Sequence, residues 1–333
     1  MIYIHARAKV ERKVSMKKNN SVRPRRKFGK CHWTKDDSEL TLLASPALIW
    51  YLLFAYLPMF GLIIAFKDFR IRGDFIQSIF SSRWVGMKNF EYMFKSSEAT
   101  TVLCNTLGYN IIFIVLGIFI PVILAIAIGH LHSKRMAKVY QTAMFMPYFL
   151  SWVVVAALVW GFLCYDKGIV NSSLAQMGKD PVNWYMSPQY WPFFLVFMNL
   201  WKGLGYGMVL YLAAIVGIDP SYYEASVIDG ATIWQQTRYI TLPMIKTVII
   251  IMFILNVGHI FYSDFGLFYQ VPRDSNSLFN VTYTLDVMVY KSLKSSTVGM
   301  ASAAAFFQSV MGCLTTLAAN AIVKHIDPDS AMI

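Results

Sequence analysis

The chain has 333 residues, 56% of them hydrophobic and 16% aromatic, with only 14% charged; this excludes an ordinary soluble domain and places the chain in the membrane class. The formal charge of +12 is uneven: residues 1–38 hold twelve Lys or Arg against Glu11, Asp36 and Asp37, so +9 of it lies in an N-terminal arm. Cys31, Cys104, Cys164 and Cys313 are scattered, without CxxC spacing or a nearby His in ligand register, which argues against a disulfide framework and predicts no metal site.

The arm, residues 1–38, has little of the aromatic interleaving that nucleic-acid binding uses and runs straight into an apolar stretch. It is expected to be a disordered, solvated cytoplasmic anchor facing anionic lipid, with no nucleic-acid partner. Arm plus apolar run is too long for a secretory signal peptide, and no small-residue cleavage site follows, so the first helix is expected to be retained.

Crossing about 30 Å of hydrocarbon takes roughly 20 mostly apolar residues. Six stretches meet or approach this: 42–66, 107–129, 143–164, 192–216, 245–262 and 301–323. The expectation is therefore an all-α membrane protein with six transmembrane helices over residues 39–326 and a short cytoplasmic tail, 327–333. Six spans put both termini on one side, and the arm together with Lys134, Arg135 and Lys138 in the loop 130–141 favours the cytoplasm for that side. The charge rule is not clean, since the expected outer loop 67–106 holds six basic residues and segment 217–244 has Arg238 against three acids. Small residues on the last span, among them Ala303, Ala304 and Gly312, favour close helix packing within a bundle.

Segment 217–244 then falls in the cytoplasm, and its chemistry is that of two short helices. Asp219-Pro220 starts one, with an N-cap acceptor and a preset φ, and Gly230 stops it. Thr232 and Gln235 have capping-box spacing for the second, which Leu242-Pro243 is expected to end. Tyr222, Tyr223, Ile228, Ile233 and Trp234 give the pair more apolar surface than a connector needs. Either another protein covers it, or it lies on the membrane as an interfacial hairpin.

Glu224-Ala225-Ser226, three residues, Gly230, nine residues, Ile240, one residue and Leu242-Pro243 resemble the EAA loop of ABC-importer permeases, with Ser226 in place of the second Ala. The segments "WVGMKNFEYMF" (84–94), "MPYFLSWVVVAALVWGFL" (146–163), "WKGLGYGMVLYLAAIVGIDPSYYEAS" (201–226) and "LDVMVYKSL" (285–293) resemble the carbohydrate branch of that family, in particular permeases for complex oligosaccharides. The resemblance spans residues 40–326. It implies a type I importer fold, a coupling loop at 217–244 that seats on a cytoplasmic ATPase, and a bacterial cell-membrane location. It also implies a second permease, giving a heterodimer, two ATPases and an extracellular solute-binding protein. The coupling residues it implies are Tyr223, Glu224, Ala225, Ser226, Asp229, Gly230, Ala231, Ile240, Leu242 and Pro243.

The chain has no GxxxxGK[ST], so it does not cradle ATP phosphates by that route. Binding of ATP and Mg by partner ATPases, with no cofactor on this chain and no enzyme activity of its own, is the expectation. "GLGYG" (203–207) lies within an apolar span and is read as helix packing or a kink. Polar groups inside spans are costly and mark candidate paths; Asn199, Lys202, Tyr206, Asn256 and His259 form that set. Asn199, Lys202 and Tyr206 share a helical face, and Lys202 either meets an acidic sugar or caps backbone carbonyls. The rival readings are an ion- or proton-coupled secondary carrier, in which the loop merely connects helices, and an ABC permease for a non-sugar solute.

Overall fold

The structure, a computed structural model, describes residues 35–70, 73–295 and 297–327. Most of the basic arm, Cys31 and all but the first residue of the expected tail lie outside them. The chain divides into two units, Met1–Phe60 and Gly61–Ile333.

In the first unit, α1 spans Lys35–Tyr51, with Asp36 and Asp37 in its first turn, where the positive end of the helix favours acids. It runs into a π turn, Leu52–Tyr56. Leu42, Leu43, Trp50 and Phe54 are exposed, as a helix facing hydrocarbon requires. The apolar helical run continues to Phe66, matching the expected first span at its end.

The second unit begins with a two-stranded antiparallel ribbon, β1 Lys67–Asp68 and β2 Arg83–Trp84, pairing Lys67 with Trp84. Between the strands lies α2, Phe75–Ser81, and after them α3, Lys88–Lys95. Span two, α4, runs Ser97–Gly129 with the Ser96 side chain capping it. It starts ten residues before the expected 107, because the cap and the polar first turns extend the helix beyond the apolar run.

The third expected span, 143–164, is not one helix. α5, Lys134–Phe145, and α6, Trp152–Leu163, belong to a pair bent by 97° at the break. Pro147 begins a 3-10 turn, Met146–Phe149, and the Ser151 hydroxyl accepts from Val154 N to start α6 anew, so the chain changes direction between two capped helices. The pair still carries the chain across the bundle. His130, just after α4, lies beside Thr237, whereas Trp184 and Trp191 lie at the opposite end, beside the segment after span five. Among the described residues five helices are long and apolar enough to cross a membrane, six when the bent pair counts as one span.

After α7, Ile169–Gln176, span four is α8, Trp191–Val216. Of its glycines, Gly205 serves packing, since a Cβ there would overlap the Met144 carbonyl and the Phe145 backbone and α8 so meets the end of α5 backbone to backbone, whereas a Cβ on Gly203 would meet nothing within 4 Å. The chain continues with α9, Pro220–Ile228, α10, Ile233–Gln236, and α11, Leu242–Gly258. The irregular stretch that follows contains α12, Phe279–Thr282, and α13, Leu285–Lys294; α14, Val298–Ile326, is span six. Among the described residues three buried clusters hold the unit together, the smallest of Ala65, Phe90 and Ala303. Of the larger two, one gathers Tyr109, Trp191, Leu195, Phe268 and Leu285 toward the α12 end; the other joins Val122, Met208, Tyr211 and Ile245 toward α9.

Candidate functional site

The loop 217–244 is a capped helix pair. Asp219 Oδ1 accepts from Ser221 N at 2.9 Å, which satisfies an orphan amide at the start of α9 and holds the Asp219 carboxyl below its usual range. At the other end Ala231 N donates to Ser226 O at 2.9 Å and Gly230 N to Val227 O at 3.0 Å. This Schellman closure needs a left-handed residue, and Gly230 has φ +75°. Thr232 and Gln235 form the expected reciprocal capping box at the start of α10.

The expected stop at Leu242-Pro243 does not occur. α10 passes through a π turn, Thr237–Thr241, directly into α11, and Leu242 stays helical at φ −61°, ψ −44°. The helical run from Ile233 to Gly258 is one candidate span, so span five starts twelve residues before the expected 245. The wider turn lets the proline ring follow without meeting the preceding carbonyls, and Leu242 N bonds Thr237 O in i→i+5 register. The second loop helix is thus the first part of span five.

The motif residues sort by direction. Tyr223, Ile240 and Leu242 pack against the buried cluster of α4 and α8, while Glu224, Ala225, Asp229, Gly230 and Pro243 are exposed; Ser226 and Ala231 are half-buried. The Tyr223 hydroxyl lies 2.9 Å from Thr241 Oγ1, and His130 Nε2 lies 3.3 Å from Thr237 Oγ1. Tyr222, Val227, Ile228, Ile233, Trp234 and Tyr239 form an outward apolar surface, with Ile228 87% exposed.

Within the bundle, Asn199, Asn256 and His259 line one cavity of about 340 Å³ with Asn110, Tyr262, Ser263 and Asp264. Asn256 Nδ2 donates to Met252 O and His259 Nδ1 meets Leu255 O, each back along its own helix, so their outer edges face the cavity. Asn110 donates to both Ile260 O, at 2.8 Å, and Tyr262 O, at 2.7 Å. Asn105 likewise bridges Asn280 O and Tyr283 O, and the Tyr109 hydroxyl donates to Val281 O. Span two therefore satisfies carbonyls of the irregular stretch after span five, including those of the short helix α12, which hydrocarbon would leave unpaired. These three residues are absent from the candidates above, although polar groups on the apolar run of span two are signal enough for Tyr109 and Asn110.

Lys202 and Tyr206 lie outside that cavity. Lys202 Nζ donates to Tyr148 O at 3.1 Å and sits 5.4 Å from the Tyr148 ring centre and 5.2 Å from that of Trp152; Tyr206 stacks on Tyr148. Lys202 caps the break between α5 and α6, the carbonyl-capping alternative. Trp152 in turn donates from Nε1 to Asp264 Oδ2 at 2.6 Å, joining the break to the end of the cavity. Among the described residues no group of three His, Cys, Asp or Glu converges to hold a metal ion.

The same chain architecture is found in known transport proteins. The chain is 31% identical over 286 residues to the polygalacturonan/rhamnogalacturonan transport system permease protein YteP of Bacillus subtilis (strain 168), covering 86% of this chain and 87% of that protein. It is 30% identical over 296 residues to the protein LplB of the same organism, covering 89% and 91%. A chain of a bacterial ABC transporter involved in the import of the acidic polysaccharide alginate superposes with TM-score 0.79 at 31% identity, over 88% of this chain and 97% of that one. Residues 105–330 match the family described as binding-protein-dependent transport system inner membrane component. This chain belongs to that family and is a multi-pass membrane subunit for transport, not an enzyme.

Proposed function

We propose that the chain is the permease subunit of an ATP-driven importer for oligosaccharides derived from acidic polysaccharide. The observation that carries the coupling is the exposed apolar surface of α9 and α10, built on a helix that is the start of span five. A surface interfacial hairpin would turn these side chains toward lipid and would not need a rigid connection to a span. Loop and span form one lever, so a partner that grips α9 moves span five, and with it Asn256 and His259 at the cavity. In this reading Glu224, Ala225, Ser226, Asp229, Gly230 and Ala231 meet a cytoplasmic ATPase, and ATP with Mg is held there. Two such ATPases, a second homologous permease and an extracellular solute-binding protein complete the importer, with both termini of this chain in the cytoplasm of a bacterial cell.

The sugar assignment is supported by the polygalacturonan/rhamnogalacturonan and alginate relatives and by a cavity whose polar lining of amide, imidazole, phenol, hydroxyl and carboxylate groups, set among apolar residues, suits hydroxyl-rich ligands. The test is uptake of trigalacturonate into liposomes holding the purified chain, with and without its permease partner, ATPases and binding protein. Uptake is expected only from the full assembly with ATP. Gradient-driven uptake by the chain alone identifies a secondary carrier instead and overturns the proposal.

A further inference from the structure

The segment after span five holds two consecutive non-glycine residues in left-handed backbone, Arg273 at φ 56° and Asp274 at φ 52°. Left-handed backbone is strained for a residue with a Cβ, and such strain persists only where surrounding contacts impose it. Here Arg273 N donates to Gln270 O and Asp274 N to Tyr269 O, Lys291 pairs with the Asp274 carboxylate, and the Ser275 hydroxyl donates to Tyr185 O at 2.9 Å. The product is one placement: the Arg273 guanidinium lies 4.2 Å from the ring centre of Trp160 on α6.

Stacked on an indole, a guanidinium keeps its N–H edge for a planar anion. No carboxylate pairs with Arg273 among the described residues, since the neighbouring Asp274 is bound to Lys291. Beside it opens a cleft of about 380 Å³ lined by Tyr269, Gln270, Arg273, Asp274 and the Val153–Ala157 face of α6, a size within the range of small-molecule sites (~300–1,000 Å³). The cleft is at the opposite end of the bundle from α9, where an imported solute would arrive. Tyr185, close by, is pushed up to about 12 by burial, against the opposing pull of Arg273, so it stays neutral and leaves the cation uncompensated.

We propose that Arg273, stacked on Trp160 and flanked by Gln270 and Asp274, is an outer subsite that takes the carboxylate of a uronate residue. The assignment deepens the acidic-oligosaccharide reading and rests on it. A sugar ring brings hydroxyl donors for the Asp274 carboxylate and Gln270 as well as a carboxylate for Arg273. A phospholipid phosphate shares the anionic chemistry, and its binding is told apart by the phosphatidylglycerol outcome of the test.

The test uses the full chain in phosphatidylcholine nanodiscs, without a binding protein, titrated with trigalacturonate and with maltotriose while tryptophan fluorescence is followed. Arg273→Gln should weaken trigalacturonate about tenfold or more, as loss of a charge-assisted pair implies, leave maltotriose unchanged, and be partly rescued by Arg273→Lys. Arg273→Gly keeps the left-handed turn without the cation and should lose binding equally, which separates charge from backbone. Equal trigalacturonate affinity in wild type and Arg273→Gln overturns the subsite. So does an Arg273→Gln effect confined to phosphatidylglycerol binding, which marks a lipid site. In the reconstituted importer, wild-type uptake of trigalacturonate unaltered by Arg273→Gln overturns the subsite alone, whereas no ATP-driven sugar uptake by wild type overturns the functional reading.

Discussion

The Tyr223 hydroxyl and Thr241 Oγ1, 2.9 Å apart, join α9 to the π turn at the base of span five. Thr241 is 1% exposed, and its other side-chain partner among the described residues is a long 3.5 Å contact to Gln236 O. Removing the Tyr223 hydroxyl leaves that of Thr241 buried and poorly satisfied, at a cost of about 1–3 kcal/mol.

Tyr223→Phe and Thr241→Val should therefore lower sugar uptake per ATP hydrolysed while ATPase recruitment persists, and Thr241→Ser should restore it. The double variant should be no worse than either single one, since both remove the same bond. Measuring the ATP-to-sugar ratio in proteoliposomes decides this; additive losses would show that the two residues act separately.

Gly230 is a backbone requirement and not a packing one: a Cβ there meets nothing within 4 Å, but φ is +75°. Gly230→Ala should cost about 1–2 kcal/mol of local strain and loosen the junction of α9 and α10. Gly230→Pro cannot adopt the conformation at all. Membrane insertion should survive both, with ATP hydrolysis progressively uncoupled from uptake. Glu224→Lys should uncouple without altering the loop, because Glu224 is exposed. Limited proteolysis across residues 226–232 with parallel uptake assays separates the two mechanisms.

The caps of α9 and α10 were legible in the sequence because each depends on residues within a few positions: Asp219, Gly230, Thr232 and Gln235. The continuation through Leu242-Pro243 was not, since proline rules describe an ordinary α turn and nothing local announces a π turn that makes room for the ring. The break at Ser151 fell inside an unbroken apolar run, where hydropathy is silent and only Pro147 and Ser151 mark it. In the cavity, Asn199, Asn256 and His259 were found by polarity in apolar spans. That rule also selects Lys202, whose partner, a carbonyl 54 positions earlier, exists only in the fold.

Lys202 accordingly yields a prediction about the break and not about the sugar. Lys202→Met removes the donor to Tyr148 O and the cation between the rings of Tyr148 and Trp152. Uptake of acidic and neutral oligosaccharides should fall together, with a lower melting temperature in detergent. A selective loss of acidic substrates would place Lys202 in the path instead.

Asn110 offers the sharpest test of how span two supports the cavity. Its single amide donates to two carbonyls, Ile260 O and Tyr262 O, at the point where α11 has ended and the backbone is no longer helical. Asn110→Leu keeps the branched side-chain shape and removes both bonds, taking the donor from two carbonyls at about 1–3 kcal/mol each at most. The His259–Asp264 stretch then loses its tie to span two, which loosens the cavity wall at Tyr262. Expected are faster hydrogen exchange confined to residues 259–264, a several-degree drop in melting temperature and reduced uptake, with ATPase recruitment by the distant loop unchanged. Unaltered exchange in that stretch would show that Gln308, which donates to Phe261 O, and Asp286, which accepts from Ser263 N, hold it without Asn110.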